Sequence, residues 1–210
     1  MARGWLIAAS LLAATAALQR PPARRVTTPT KAAPQLQDTG RSLEQALEPV
    51  GDVVATLLRV GTCALMVHHG IDKVQNVDGF SANVVAKFFG FLPGEPQLWT
   101  LSAAATQIVG AAMLGVGVLS RPVSAAMTAT MLVAVIFHLE NTGIEGFPLA
   151  VVKQHSYNYE LAAMYVLVLG YFTVAGAGPI SVDEQVLGGE LAFYEETFEK
   201  ARRLLAKDDE

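Results

Sequence analysis

Several polar side chains in this sequence fall at the ends of long apolar runs or inside them, where a polar group needs a bonding partner. They are Arg59, His69, Lys73, Gln107, Glu160, Tyr171 and Asp183. The imidazole, amide, amine and carboxylate groups of this set donate and accept hydrogen bonds and pair with opposite charges. We therefore treat the set as a candidate ligand-binding site, and we assign no catalytic residue.

The spacing of the charged members predicts two polar layers at different depths. In one layer, Glu160 pairs with His69 or Lys73. In the other, Arg59 pairs with Asp183 or with the backbone carbonyls near the end of the last apolar run. A buried pair of this kind can fix the register of packed helices, or it can form part of a ligand site. The sequence leaves both alternatives open.

Four apolar runs must position these side chains. The runs are Val53 to Val67, Leu98 to Leu119, Pro122 to Leu139 and Leu161 to Ala177. At ~1.5 Å per residue they are about 22 to 33 Å long, against a hydrocarbon core of about 30 Å. Backbone amides in lipid must bond within their own segment, so each run is predicted to be helical. We expect an all-α polytopic membrane protein with four transmembrane helices in an antiparallel bundle.

The composition agrees with a membrane protein and argues against two other classes. Of the 210 residues, 52% are hydrophobic and 16% are charged, whereas a soluble domain carries about a quarter charged residues. The net charge of -4 gives no electrostatic footprint for nucleic acid. Cys63 is the single cysteine, so the chain has no internal dithiol to relay electrons.

Residues 1–40 have the features of a targeting presequence. An apolar stretch from Trp5 to Leu18 follows Arg3 and has the length of a signal-peptide core. The stretch that follows, up to Gln37, is rich in Arg, Thr, Ala and Pro and has no acidic residue, as in a transit peptide. This two-part pattern is similar to the presequences of algal plastid proteins. A secretory signal followed by a linker is the alternative.

One membrane domain is predicted at residues 42–183. Ser42, with Gln45 three residues later, is typical of a helix start. Pro49 and Gly51 predict that this first helix is interrupted soon afterwards. The second and third runs are joined by only two residues, so they are expected to form a tight antiparallel hairpin.

The tail, residues 184–210, is predicted to contain an amphipathic helix. Apolar residues recur at intervals of three and four from Leu191 to Leu205, with charged residues between them. Such a helix can lie on the lipid bilayer or on its own domain. Because its polar face carries both charges, docking to a protein partner through residues 189–210 is the other interpretation.

The four histidines do not have the spacing of a metal or haem site. His68 and His69 are adjacent and would point ~100° apart on a helix. His138 and His155 have no metal-ligand spacing with each other. We predict no metal ion and no permanent cofactor of the protein's own.

A quinone suits these residues better than a metal. Aromatic residues of the last run would form a flat apolar slot, and polar side chains would bond a ring carbonyl. The aromatic residues are Tyr165, Tyr171 and Phe172, and the polar ones are His69, Gln107 and Glu160. Glu160 and Tyr171 lie about three helical turns apart, so both should point into one seam. The alternative is that these aromatic residues are ordinary bundle core.

A series of residues follows a characteristic order along the chain. It comprises Arg59 with Gly61, the run His69 to Lys73, Phe80, Phe88 and Pro93, Gly110 and Gly117, the run Tyr159 to Ala162, Gly176 to Gly178, Ser181 and Asp183. In this order the residues resemble the DoxX family of small four-helix membrane proteins. The resemblance implies a four-helix bundle. It also implies a connection to membrane redox work, because some family members serve quinone-linked thiosulfate oxidation or complexes that handle oxidative stress.

One departure from the family concerns the second run. The family usually has a glutamate where this chain has Gln107, and an amide cannot take up a proton. We therefore predict an accessory subunit of a quinone-linked membrane redox complex. The alternative is a non-catalytic assembly or scaffold subunit, and the sequence leaves open whether the chain is an enzyme.

Overall fold

The computed structural model describes residues 33–144 and 158–205. The chain divides into two compact units, Met1–Ala46 and Leu47–Glu210, and the contacts reported below belong to the second. Residues 1–32 of the predicted presequence lie outside the described residues, as do His155 and residues 206–210 of the tail.

Every regular element among the described residues is helical, which confirms the predicted all-α class. The helices are α1 (Ala33–Gln75), α2 (Val77–Phe80), α3 (Pro96–Ala105), α4 (Ala111–Val116), α5 (Ser120–Thr142), α6 (Glu160–Ala175), α7 (Val182–Gln185) and α8 (Glu190–Leu205). Two π-helical turns, Ser81–Ala86 and Thr106–Gly110, continue α2 and join α3 to α4.

The four predicted membrane helices are present. Three stretches are long and apolar enough to cross a bilayer: Arg41–Gln75, Pro96–Val116 and Ser120–Thr142. The fourth, α6, has 16 residues and is about 24 Å long at ~1.5 Å per residue. A helix shorter than the hydrocarbon core is accommodated by local thinning of the bilayer. The chain is an integral membrane protein.

The predicted interruption of the first helix at Pro49 is wrong. Pro49 lies inside α1, which is 43 residues long and continues past the proline. A proline within a helix removes one backbone hydrogen bond. Residues 41–51 of α1 are exposed, so the freed carbonyl is not buried and the loss is tolerated. The apolar run that follows then extends the helix to Gln75.

The second and third runs form the tight hairpin that their short connection predicted. Gly117 ends α4 with φ 75°, a left-handed conformation that glycine adopts without strain. Val118 then donates a backbone hydrogen bond to the Met113 carbonyl at 2.9 Å, and α5 begins at Ser120. The turn places α3 and α4 beside α5 in an antiparallel arrangement.

Small residues allow the helices to approach closely, as expected for packing in lipid. A Cβ atom added at Gly70 of α1 would lie 2.6 Å from Ile108 Cγ1 and 3.0 Å from the Ala104 carbonyl oxygen. Gly70 is buried, and the backbones of α1 and α3 meet there. The interior beyond this contact is filled by Met66, Leu114, Met127, Leu169 and Phe172, all less than 2% exposed.

Replacement of Gly70 by alanine is expected to lower stability by about 1–3 kcal/mol, because the added methyl group overpacks a closed interface. Gly61 provides a matched control on the same helix, since a Cβ atom there meets nothing within 4 Å. Gly61→Ala is expected to raise stability by about 0.5–1 kcal/mol through helix propensity. Thermal unfolding in detergent, followed by reaction of the buried Cys63 thiol with a fluorescent dye, measures both changes. Equal melting temperatures for the two variants would contradict the close approach at Gly70.

The C-terminal part forms the predicted amphipathic helix, α8. Its first turn is anchored by Glu190, which is 6% exposed. Leu191 and Phe198 are 57% and 74% exposed, so the apolar stripe of α8 is uncovered in the structure.

Candidate functional site

A central polar layer lies where the membrane-crossing stretches meet, and we define it as His69, Gln107, Met131 and Tyr165. α1 contributes His69, and the π-helical turn before α4 contributes Gln107. Met131 is on α5 and Tyr165 on α6, and both belong to one buried core cluster. Each of the four stretches therefore supplies one side chain to the layer.

Gln107 is the most deeply buried polar member, with 2% of its surface exposed. Its Nε2 atom donates to Met131 Sδ at 3.6 Å. A thioether sulfur accepts a hydrogen bond weakly and donates none, so the amide nitrogen faces the sulfur and the carbonyl oxygen faces away from it. That oxygen, Oε1, is buried without a hydrogen-bond partner among the described residues.

His69 brings a second unpartnered atom to the layer. Its ring lies edge-on to the Tyr165 ring at a centroid distance of 5.9 Å. The Nε2 atom is buried and has no hydrogen-bond partner within the described parts of the chain. His69 is followed by Gly70, whose added Cβ atom would lie 3.1 Å from Gln107 Cβ. The imidazole and the amide therefore belong to one level of the bundle.

The backbone around Gln107 is irregular. The π-helical turn spans Thr106–Gly110, and such turns within α-helices are frequently found at functional sites. Thr106 Oγ1 and Thr130 Oγ1 lie 3.0 Å apart and connect this turn to α5. Gln107 in this turn points into the interior, and Thr106 beside it bonds Thr130 on α5.

Met131 is a member of the layer that the sequence analysis missed. A signal for it exists in the hairpin, because Gln107 and Met131 lie 24 residues apart on either side of the turn. Thr106 and Thr130 have the same separation. A hairpin centred on Leu119 pairs residues at equal distances from it, and Gln107 and Met131 lie at equal distances on either side of Leu119.

A second group of polar residues lies at one end of the bundle, and we call it the polar clasp: Arg59, Ser120, Arg121, Asp183 and Glu190. Arg59 is 2% exposed and donates to the carbonyl oxygens of Ala177 and Ile180, the latter at 2.7 Å. This is the predicted bonding of Arg59 to carbonyls near the end of the last run.

Asp183 does not form the alternative ion pair with Arg59. Its carboxylate accepts hydrogen bonds from the backbone N–H groups of Leu119 and Ser120, at 2.7 and 2.9 Å, and from Ser120 Oγ. These donors lie at the start of α5, where backbone N–H groups have no partner within the helix. The residue is therefore a cap for α5.

The remaining part of the clasp attaches α8 to α5. Glu190 Oε1 accepts from the Arg121 backbone N–H at 2.9 Å and from the Tyr194 hydroxyl at 2.7 Å. Burial, with the hydrogen bond to Glu190, raises the pKa of Tyr194, so the phenol stays protonated and keeps donating. The Arg121 guanidinium donates to the carbonyls of Val174 and Ala175. A cleft of about 370 Å³ opens beside these groups. Arg121 Nε and Glu190 Oε2 form an ion pair at 3.6 Å there, and neither atom has a hydrogen-bond partner among the described residues.

The predicted pairing of Glu160 with His69 or Lys73 is not made. Lys73 Nζ donates to the His69 carbonyl oxygen at 3.1 Å and lies 5.0 Å from the centroid of the Phe80 ring. The Glu160 side chain is exposed, while Asn158 Oδ1 accepts from its backbone N–H at 2.8 Å. The lysine is satisfied locally by a carbonyl one turn away, which needs no contact with α6.

Tyr171 also lies elsewhere than predicted. It is 52% exposed and shares an outward face of α6 with Glu160, so the two residues do lie on one face but not in an internal seam. The buried face of α6 is formed by Ala162, Tyr165, Leu169 and Phe172. Positions that contact lipid are as apolar as positions in the core, so the sequence pattern did not distinguish the two faces.

No group of three His, Cys, Asp or Glu side chains lies close enough to hold a metal ion within residues 33–144 and 158–205. His68 stacks on His69 with a centroid distance of 4.0 Å, and His138 contacts Phe137 at 5.2 Å.

Comparison with known proteins finds a family similarity over part of the chain. The family model described as DoxX matches residues 54–139, which include Arg59, the central layer up to Met131 and the hairpin. No curated protein and no solved structure matches the chain. Residues 54–139 are therefore similar to the DoxX family, and they lie in a chain whose helices are long and apolar enough to cross a membrane.

Proposed function

We propose that this protein binds a lipid-soluble quinone in the central polar layer and serves as an accessory subunit of a membrane redox complex. The observation that supports the proposal is the pair of buried atoms, Gln107 Oε1 and His69 Nε2, that lack a partner among the described residues. Each unmade hydrogen bond at a buried polar atom costs about 1–3 kcal/mol. A ligand that enters from the lipid and bonds these atoms removes that cost.

A quinone head group matches the chemistry of the layer. It is a flat ring with oxygen atoms on opposite sides, and it dissolves in the bilayer together with its hydrocarbon tail. The Tyr165 ring and the thioether of Met131 offer apolar surface for the ring. His69 Nε2 offers a directional bond to a ring oxygen, and Gln107 Oε1 offers one to a ring oxygen that carries a hydrogen atom.

An accessory role is favoured over independent catalysis. Gln107 cannot exchange protons at neutral pH. Cys63 is the single cysteine of the chain, so no internal dithiol is available. We therefore assign the electron transfer to a partner protein, and to this chain the binding of its lipid-soluble substrate.

A scaffold subunit remains the second candidate, and the exposed stripe of α8 favours it. Leu191, Phe198 and Leu205 are 57%, 74% and 69% exposed on a helix that also carries both charges. An uncovered apolar stripe of this type fits the groove of a protein partner.

Extraction in mild detergent, followed by identification of the copurifying molecules, tests both candidates. We expect quinone or its reduced form, quinol, in stoichiometric amounts with the wild type and at least about tenfold less with Gln107→Leu, which removes the acceptor for a ring hydroxyl group. Gly61→Ala serves as the control, because its Cβ atom meets no neighbour within 4 Å. Leucine also removes the unpartnered amide, so Gln107→Leu should unfold at the same or a higher temperature than the wild type.

The scaffold candidate predicts a different outcome. Protein neighbours would copurify with the wild type and with Gln107→Leu alike, and no quinone would be found with either. That result would exclude ligand binding by the central layer.

A further inference from the structure

The central polar layer contains an acceptor that a quinone carbonyl cannot satisfy. Gln107 Nε2 faces Met131 Sδ at 3.6 Å, and Oε1 is buried without a hydrogen-bond partner among the described residues. An amide oxygen only accepts hydrogen bonds. Both oxygens of an oxidised quinone are acceptors too, so this contact would bring two acceptors together.

The other unpartnered atom places no such restriction. Nε2 of a neutral imidazole is either a donor or an acceptor, depending on the tautomer. It is buried without a partner in the described segments, and its ring packs against Tyr165 at 5.9 Å. His69 can therefore bond either the oxidised quinone or the reduced quinol. Only Gln107 distinguishes between the two forms.

We propose that the central polar layer prefers the reduced form of its ligand, a quinol, whose hydroxyl group donates to Gln107 Oε1. This inference rests on the proposed function and adds the redox state of the ligand that is bound. A hydroxyl group both donates and accepts hydrogen bonds. One quinol hydroxyl can therefore donate to Gln107 Oε1 while the other bonds His69 Nε2. Only 2% of the surface of Gln107 is exposed. Bulk water therefore does not reach Oε1 to donate a hydrogen bond in place of the quinol.

Three probes of one shape test the preference: decylubiquinone, decylubiquinol kept reduced under anaerobic conditions, and the dimethyl ether of the quinol. The ether retains the reduced ring but has no O–H donor. Affinities are measured with the full chain in lipid nanodiscs. We expect the quinol to bind at least about tenfold more tightly than the quinone or the ether, the difference of one satisfied buried acceptor.

Gln107→Met then removes the acceptor at similar volume, and with it the quinol preference, whereas Gly61→Ala should leave the preference unchanged. Equal affinities of the wild type for all three probes would overturn the quinol preference and keep the proposed quinone site. Binding of none of them would overturn both. The comparison of probes on the wild type decides the matter even if the Gln107 variant does not fold.

Discussion

Replacement of Asp183 by alanine is expected to cost about 3–5 kcal/mol of stability, enough to unfold much of the protein in detergent at moderate temperature. The carboxylate is 3% exposed and accepts from Leu119 N, Ser120 N and Ser120 Oγ. Alanine would leave these donors buried without partners, at about 1–3 kcal/mol each with partial relaxation. The negative charge also stabilises the positive end of the α5 dipole.

Asp183 contributes this much stability because the N-cap residue of α5 makes no capping hydrogen bond itself. This residue is Leu119, whose side chain makes no capping bond and whose φ of 49° is strained for a residue with a Cβ atom. The cap is supplied from 64 residues away in the sequence. The same carboxylate thereby connects the start of α5 to the segment that follows α6.

Glu184→Ala is the matched control for this prediction. Glu184 is the neighbouring acidic residue on α7, and its side chain is exposed, so its loss should change stability by no more than about 0.5 kcal/mol. Asp183→Asn should fall between the two, because the amide keeps one acceptor oxygen but turns a donor toward the donors of α5. Thermal unfolding followed by far-UV circular dichroism provides the comparison. Similar melting temperatures for Asp183→Ala and Glu184→Ala would show that the cap does not hold α5.

The sequence predicted the parts of the fold that follow from backbone chemistry. In lipid only a helix satisfies its own amides, so the four apolar runs became membrane helices with few boundary errors. The short connection at Ser120 forced the hairpin. A buried guanidinium without hydrogen-bond acceptors is energetically costly, so Arg59 was expected to bond oxygen atoms. It donates to the carbonyls of Ala177 and Ile180.

The parts that failed depend on which way a helix is rotated. Tyr171 faces outwards and Tyr165 inwards, yet both stand in a uniformly apolar run. In water the polar face of a helix would reveal its orientation, whereas in lipid both faces are apolar. Glu160 was assigned to the interior for the same reason. The ligand-binding roles of the candidate residues stay predictions.

The capping of α5 by Asp183 could not be predicted from the sequence, for a different reason. The pairing with Arg59 and the capping of α5 are both favourable for a buried carboxylate. Which of them is formed depends on how the Gly176 to Asp183 segment folds back over the hairpin turn. Asp183 N donates to the Gly117 carbonyl oxygen at 2.8 Å, and this backbone contact brings the carboxylate to α5 rather than to α1.

That same contact makes Gly117→Ala the second large change, with an expected loss of about 2–4 kcal/mol. A Cβ atom at Gly117 would lie 2.4 Å from Ser181 Cβ and 3.0 Å from Ala177 Cβ, and it would adopt a φ of 75°. Neither neighbouring Cβ can move without its backbone, so overpacking adds about 1–3 kcal/mol to about 1 kcal/mol of left-handed strain. The turn would separate from the closing segment, and Asp183 would lose its hold on α5.

Gly115→Ala, two residues earlier, separates this effect from a general intolerance of bulk. Its Cβ atom would meet Cys63 Cβ at 3.7 Å, an ordinary van der Waals distance, and its position is helical. Alanine there should be neutral or stabilising by up to about 1 kcal/mol. Because Gly117→Ala is expected to displace the segment that carries the Asp183 carboxylate, the double variant should lose less stability than the two single losses added together. Additive losses would mean that the turn and the cap are independent, and the clasp would not act as one unit.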